Sequence, residues 1–359
     1  MLGNGKSKTK KQWLGLTGPA LILAVTVGAV PAQADVTANA AASAGTTWSQ
    51  TIRRKLNLET QAVQLTAQLP ALKAAVTTRN AEVTKARRGQ TAAETTVTGA
   101  AAADLAARTK RMAAKKAVET AKKAVSAAKK KKPYSKSRVT KARKALTTAE
   151  ATFKARHAAA GTAAAALKTA QTAYASATRQ VTAAVNAHQT AVNAVTGAEA
   201  TIKAWPARRT ALTAQAAEIR NQVVTETRAR FTMEQTTTVY GVTVNKIVAT
   251  PFKRMLDDAA KAGIPLSGGG FRTKQRQVEL RTINGCPDVW TAPASSCRVP
   301  TAIPGRSLHE LGLAIDMTYN KKTINSRSSK AFKWMAANAG KYGFVNLPSE
   351  PWHWSINGS

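Results

Sequence analysis

Aromatic side chains are scarce in this chain: Phe, Trp and Tyr make up 5% of 359 residues, too few to fill a conventional core along the whole length. Acidic residues are scarce relative to basic ones, with 18 Asp and Glu against 54 Lys and Arg and a formal net charge of +36. That imbalance points to anionic partners rather than cationic ones. Cysteine occurs twice, which excludes a disulfide-dense scaffold and a four-thiolate zinc ribbon. Cys286 and Cys297 lie close together in a segment rich in Pro, Ser and Gly and read as one disulfide. In an oxidising compartment such a bridge closes a short loop and contributes roughly 3 kcal/mol. Free thiols or a metal pair are the alternatives. Histidine occurs four times, so any imidazole-based site has few places to form.

The basic charge is concentrated in the middle: from Trp48 to Tyr240, 34 Lys and Arg face 10 Asp and Glu. On charge alone the expectation would be nucleic acid. The amino terminus argues against it. Lys6, Lys8, Lys10 and Lys11 form a basic region, Trp13 to Val30 is apolar and uncharged, and Ala32-Gln33-Ala34 fits a small-x-small cleavage site. Residues 1–34 are therefore expected to be a secretory signal peptide, followed by a linker over 35–45, which makes the protein secreted, at the cell wall or extracellular. An uncleaved membrane anchor is the alternative, since the apolar run approaches the roughly 17 residues needed to span a bilayer. Outside the membrane the polyanions on offer are anionic wall polymers and lipid headgroups, not nucleic acid.

Residues 46–235 are dominated by Ala, Lys, Arg, Thr, Val and Gln, with little glycine, which favours helix. Lys129 to Lys132 followed by Pro133 breaks the pattern. Before the break Ala114, Val118, Ala121, Val125 and Ala128 are spaced as a seam; after it Val139, Ala142, Leu146, Ala149 and Phe153 are spaced likewise. The expectation is an antiparallel coiled-coil hairpin with its tip near Pro133, pairing Ala128 with Val139, Ala121 with Leu146 and Ala114 with Phe153. Alanine knobs bury little area, so the coil should be only moderately stable. Pro70 and Pro206, at comparable distances from the tip, are expected to kink or break both arms. His157 and His188 have no carboxylate or second histidine at ligand spacing and read as surface or seam residues.

After Phe231 the composition changes to that of a compact α+β domain over 236–359. Thr236 to Val244 reads as strand, turn, strand. Pro251 to Gly263 reads as a helix with Pro251 in its first turn and Gly263 at its end. Strands are expected at Leu266 to Phe271, Leu313 to Thr318 and Trp352 to Ile356, and helices at Thr273 to Arg281 and Ser328 to Tyr342.

Two histidines fall in this domain, each beside a carboxylate: Ser307-Leu308-His309-Glu310-Leu311-Gly312-Leu313-Ala314-Ile315-Asp316, and Glu350-Pro351-Trp352-His353. A hydrolytic zinc site needs three protein ligands and an open position for water, and His309, Asp316 and His353 can supply it. Two neutral imidazoles and one carboxylate leave a positive centre, able to acidify a water and polarise a carbonyl. A further carboxylate must then move the proton. Glu350 is the candidate and Glu310 its competitor, although Leu313 rules out a helical His-Glu-x-x-His motif. Taken singly, the two motifs also read as a capped helix and a strand-end pair. Gly268-Gly269-Gly270 is not a phosphate loop, because no Lys-Ser/Thr follows it.

Together the motifs resemble a known family. Ser-x-His-x-x-Gly-x-Ala-x-Asp at 307–316, then Trp334, Tyr342-Gly343-Phe344 and Glu-Pro-Trp-His at 350–353, is similar to the zinc D-alanyl-D-alanine carboxypeptidases related to the vancomycin-resistance D,D-peptidases. Upstream, Ser267 to Arg272 with Gln277 resembles that family's Ser-Gly-Tyr-Arg segment, with Phe271 in place of Tyr. The resemblance covers roughly 238–359. It implies a hedgehog-like D,D-peptidase fold, one zinc ion on His309, Asp316 and His353, and Glu350 as catalytic acid and base. It makes Arg272 a substrate-binding or oxyanion-stabilising cation, and Ser307 and Gln277 groups that touch substrate or support the ligands. The implied activity is hydrolysis of peptidoglycan peptides by metal-activated water. The alternative is a wall-binding coiled-coil surface protein whose peptidase-like domain has little or no activity.

Overall fold

The computed structural model describes residues 43–359. The expected signal segment, and most of the linker expected after it, lie outside the described residues. Two long helices come first, α1 (Ala44–Lys130) and α2 (Lys136–Arg230). Each starts at a serine whose side chain accepts a backbone N–H of the first turn, Ser43 from Thr46 and Ser135 from Arg138. At 87 residues and about 1.5 Å per residue, α1 is about 130 Å long. The helices run antiparallel. The Ala44 N–H donates to Glu226 at 2.9 Å, Lys73 pairs with Glu199 at 2.8 Å, and Gln90 donates to Thr178 at 3.1 Å.

Near the turn, Ala114, Val118, Ala128 and Val139 are buried, and Ala121, Val125, Ala142, Leu146, Ala149 and Phe153 are half-buried while most of their neighbours are exposed. The apolar seams therefore face each other. Neither arm breaks at proline: α1 runs through Pro70 and α2 through Pro206. Both prolines are exposed, so water can satisfy the carbonyl each leaves unpaired, and the paired flanks hold the helix on either side. His157 is exposed and His188 half-buried. No helix among the described residues is long and apolar enough to cross a membrane.

Strands β1 (Thr236–Val239) and β2 (Val242–Asn245) form a hairpin. Helix α3 (Lys246–Lys261) follows at once, starting five residues before Pro251. The sequence expectation placed Pro251 in the first turn; Asn245 begins the helix instead, its side chain accepting the Ile247 N–H at 3.1 Å. Then come β3 (Leu266–Gly269), α4 (Lys274–Ile283), β4 (Ala314–Tyr319), β5 (Lys322–Thr323), α5 (Lys330–Asn338), β6 (Val345–Asn346) and β7 (His353–Ser355). The sheet order is β3-β4-β7-β6, antiparallel, with β5 also on β4. Cys286 and Cys297 are bridged, in the segment between α4 and β4.

One apolar core runs through both parts. Trp48, Ile52 and Leu56 of α1 and Ala216 and Val223 of α2 pack with Val244, Phe252, Met255, Leu313, Ile315, Tyr342, Phe344 and Trp354. Gly343 shows how close the fit is. Its φ is +85°, and a Cβ there would lie 2.5 Å from the Trp48 ring. The base of the helical hairpin is thus structurally part of the sheet domain.

Candidate metal centre

Register sets the site. Asp316 on β4 is flanked by Gly269 on β3 and His353 on β7. His309 arrives from a short 3-10 turn, His309–Leu311, closed by Gly312 at φ +65°. That turn is held from outside: the Asn245 N–H donates to the Gly312 carbonyl (2.8 Å), Asn245 Nδ2 to the Leu311 carbonyl (3.0 Å), and the Arg272 N–H to the His309 carbonyl (3.1 Å). A Cβ at Gly312 would fall 2.6 Å from the Asn245 nitrogen, so the approach requires glycine.

His309 Nε2, His353 Nδ1 and Asp316 Oδ1 meet, with separations of 3.2, 3.2 and 3.0 Å. Each imidazole is anchored by its other nitrogen. His309 Nδ1 donates to the Gly270 carbonyl at 2.7 Å, and His353 Nε2 donates to the Ser359 carbonyl at 3.2 Å. When neutral in those tautomers, the two rings turn nitrogen lone pairs toward the same point as the Asp316 carboxylate oxygen. Such an arrangement can hold a cation between them. Ligands about 2.0–2.1 Å from a tetrahedral zinc are about 3.3 Å apart, close to the spacings seen, so the donor set fits that ion.

Burial alone would push the Asp316 carboxyl up, but hydrogen bonds and charge from His309 and His353 hold it well below the usual carboxylate range. For His353, burial disfavours the charged form, and the Asp316 carboxylate outweighs it and raises the imidazole.

Arg272 donates from Nη2 to Asp316 Oδ2 at 3.0 Å and from Nη1 to Gln277 Oε1 at 3.1 Å. Gln277 is 1% exposed and donates to the Ala302 carbonyl at 2.7 Å. Neither is a free surface group. Together they fix the Asp316 carboxylate from behind. Ser307, also buried, accepts the His309 N–H at 3.3 Å and so braces the same turn.

The two candidate bases separate cleanly. Glu310 is consumed within its own loop, accepting the Gly305 N–H at 2.8 Å and the Ser307 N–H at 3.3 Å. Glu350 is half-buried just before β7, and burial raises its carboxyl above the ordinary range. The charges of His353, Asp316 and Arg272 all act on it. Its backbone is fixed by Glu350 N–H to the Leu347 carbonyl (3.0 Å) and Asn346 Nδ2 to the Glu350 carbonyl (2.9 Å).

Gly268 and Gly269 are paired strand residues, and a Cβ would lie 2.6 Å from the Asp316 carbonyl oxygen at Gly268 and 2.1 Å from that of Thr243 at Gly270. Close backbone approach, not flexibility, requires those two glycines. Phe271 stacks on Phe231 at 5.7 Å between ring centroids. Trp354 is buried in the core, and Trp352 is half-buried. Sequence reasoning missed Asn245, whose only local signal was a cap residue directly before the helix, and Arg281. Arg281 is fully buried and donates to the carbonyls of Asp288, Ala292 and Thr301 around the disulfide loop.

Among known proteins, the chain matches the family model described as VanY, D-alanyl-D-alanine carboxypeptidase, over residues 241–359. A D-alanyl-D-alanine carboxypeptidase of Enterococcus faecalis (strain ATCC 700802 / V583) is 29% identical over 127 residues, 30% of this chain and 47% of the relative. A Bacillus subtilis (strain 168) protein provisionally named as carboxypeptidase YodJ is 29% identical over 128 residues, 31% of this chain and 45% of the relative. The chain thus spans less than half the length of these curated relatives. No solved structure gives a significant match. His309, Asp316, His353 and Glu350 all lie within the matched residues, and the carboxy-terminal part of this chain, 241–359, is a domain of the D-alanyl-D-alanine carboxypeptidase family.

Proposed function

We propose that the protein is a secreted zinc-dependent D-alanyl-D-alanine carboxypeptidase that hydrolyses peptidoglycan stem peptides, its catalytic domain having the hedgehog-like D,D-peptidase fold. The observation that carries the reading is the convergence of three lone-pair donors, His309 Nε2, His353 Nδ1 and Asp316 Oδ1, beside a half-buried Glu350. The disulfide supports export to an oxidising compartment. The basic hairpin, read as a coiled coil, suits anionic wall polymers or a membrane surface.

His309, Asp316 and His353 hold the zinc, which when bound supplies Lewis-acid activation of water and of the scissile carbonyl. Glu350 takes a proton from the attacking water and returns it to the leaving amine; burial makes its carboxylate a stronger base than an exposed one. Arg272 orients Asp316 through a charged hydrogen bond, and its positive charge would favour a substrate carboxylate or developing oxyanion.

The test is metal analysis together with hydrolysis of peptides ending in D-Ala-D-Ala. Purified protein should hold about one zinc. Glu350→Gln should keep that zinc and lose at least about a hundredfold in kcat, whereas His309→Ala should lose both metal and activity. Turnover retained by Glu350→Gln, or parental zinc affinity in His309→Ala, would sink the assignment.

A further inference from the structure

Helix α2 reaches both histidines of the metal centre by separate routes. Near its end, Arg228 donates through Nη1 to the Gly305 carbonyl and through Nη2 to the Arg306 carbonyl at 3.1 Å. Those carbonyls belong to the turn that leads into Ser307 and His309, whose N–H groups at Gly305 and Ser307 are in turn held by Glu310. Two turns earlier, Asn221 accepts from Asn357 Nδ2 at 3.1 Å. Asn357 Oδ1 accepts the Ser359 N–H at 3.2 Å and its hydroxyl at 2.9 Å, and the Ser359 carbonyl is the acceptor for His353 Nε2. Beside these, Phe231, which follows α2, stacks on Phe271, next to Arg272.

We infer that α2 positions the metal ligands, Arg228 acting through the 305–309 turn on His309 and Asn221 acting through Asn357 and Ser359 on His353. The hairpin is then a lever on the site as well as a projecting arm. A force or partner that shifts α2 relative to the sheet changes the orientation of both imidazoles together. The inference rests on the proposed zinc site for its consequence, although the contacts themselves do not.

The experiment compares the full chain with Arg228→Ala, Asn221→Ala, the double variant, Arg228→Lys, and Arg230→Ala as a control from the same turn. Zinc affinity is measured by chelator competition, and amide hydrogen exchange at 305–312 is followed in metal-free protein. Changing a group that orients a metal ligand weakens affinity about 10- to 100-fold. Because Arg228 and Asn221 act through intervening groups, each alanine variant should bind zinc roughly three- to tenfold more weakly, and the two losses should multiply in the double variant. kcat should fall with KM little changed, because the ligands move and the peptide contacts do not. Arg228→Ala should speed exchange at 305–312, and Arg228→Lys, which still donates, should recover part of each effect. Arg230→Ala should match the parent. Parental zinc affinity and parental exchange in both alanine variants would overturn the lever. A parent that binds no zinc would overturn the proposed function instead, leaving the exchange measurement to decide the linkage.

Discussion

Lys55 offers a quantitative check on how the hairpin is joined to the sheet domain. Its side chain is 2% exposed at the base of α1, where Nζ donates to the Gly340 carbonyl at 3.2 Å and to Thr213 at 3.4 Å. Burial lowers its pKa to about 8 from 10.5; Glu59 opposes the shift, and Arg209 and Lys341 add to it. A drop of about 2.5 corresponds to roughly 3–4 kcal/mol, at about 1.4 kcal/mol per pH unit. The sign follows from proton binding: between pH 8 and 10.5 the unfolded chain holds a proton at this lysine that the folded chain has lost. Stability linked to Lys55 is therefore fully present above pH 10.5 and is lost as pH falls through 8. Replacing it by Met removes the titration. Urea unfolding of the parent and of Lys55→Met, followed by near-ultraviolet circular dichroism at intervals from pH 7 to 10.5, cancels the other lysines in the difference. The parent should gain about 3 kcal/mol relative to Lys55→Met across that range. A difference flat to within about 0.5 kcal/mol would mean that Lys55 is solvated, and that the shared core does not close around α1 as described.

Three further outcomes are expected. Gly270→Ala drives a Cβ into the Thr243 carbonyl and displaces the acceptor of His309, so stability should fall by about 1–3 kcal/mol and zinc affinity at least about tenfold; Gly269→Ala, with open space around it, should leave both intact, and a Gly270→Ala protein with parental zinc affinity would contradict the geometry. Arg281→Met leaves two carbonyls of the disulfide loop and that of Thr301 after it without their donor and should cost about 3 kcal/mol in urea unfolding while making 286–297 easier to proteolyse; unchanged stability would refute the clamp. Replacing Lys129 to Lys132 with Gln should weaken wall binding at low salt, as should raising salt, since exposed charges are screened over about 10 Å at 0.1 M, while hydrolysis of a small soluble peptide stays constant; salt-insensitive wall binding would remove the electrostatic role.

The His309, Asp316 and His353 cluster was legible because each residue lies in a short stretch where spacing converts directly into register. His309 and Asp316 bracket one turn and the entry to β4, and pairing β4 with β7 places His353 opposite Asp316. The hairpin seams were legible for the same reason, as a local repeat on either side of Pro133. What lay hidden joins residues far apart. Three consecutive glycines look alike in a sequence; only the carbonyls of Asp316 and Thr243 distinguish Gly268 and Gly270 from Gly269. Glu310 stays a competitor to Glu350 as the base until the N–H groups of Gly305 and Ser307 claim it. Trp48 reads as the start of a helix, yet it is 1% exposed against Gly343, nearly three hundred positions away. The same kind of contact decides what the hairpin can do. A domain that had its own complete core could lose the helices and keep its chemistry. Here Ile52, Leu56 and Val223 complete that core, and Arg228 and Asn221 reach the loops beside His309 and His353. Removing the helices would expose apolar surface and take away the contacts of Arg228 with the 305–306 carbonyls and of Asn221 with Asn357, so the role of the hairpin has to be tested by point substitutions in the intact chain.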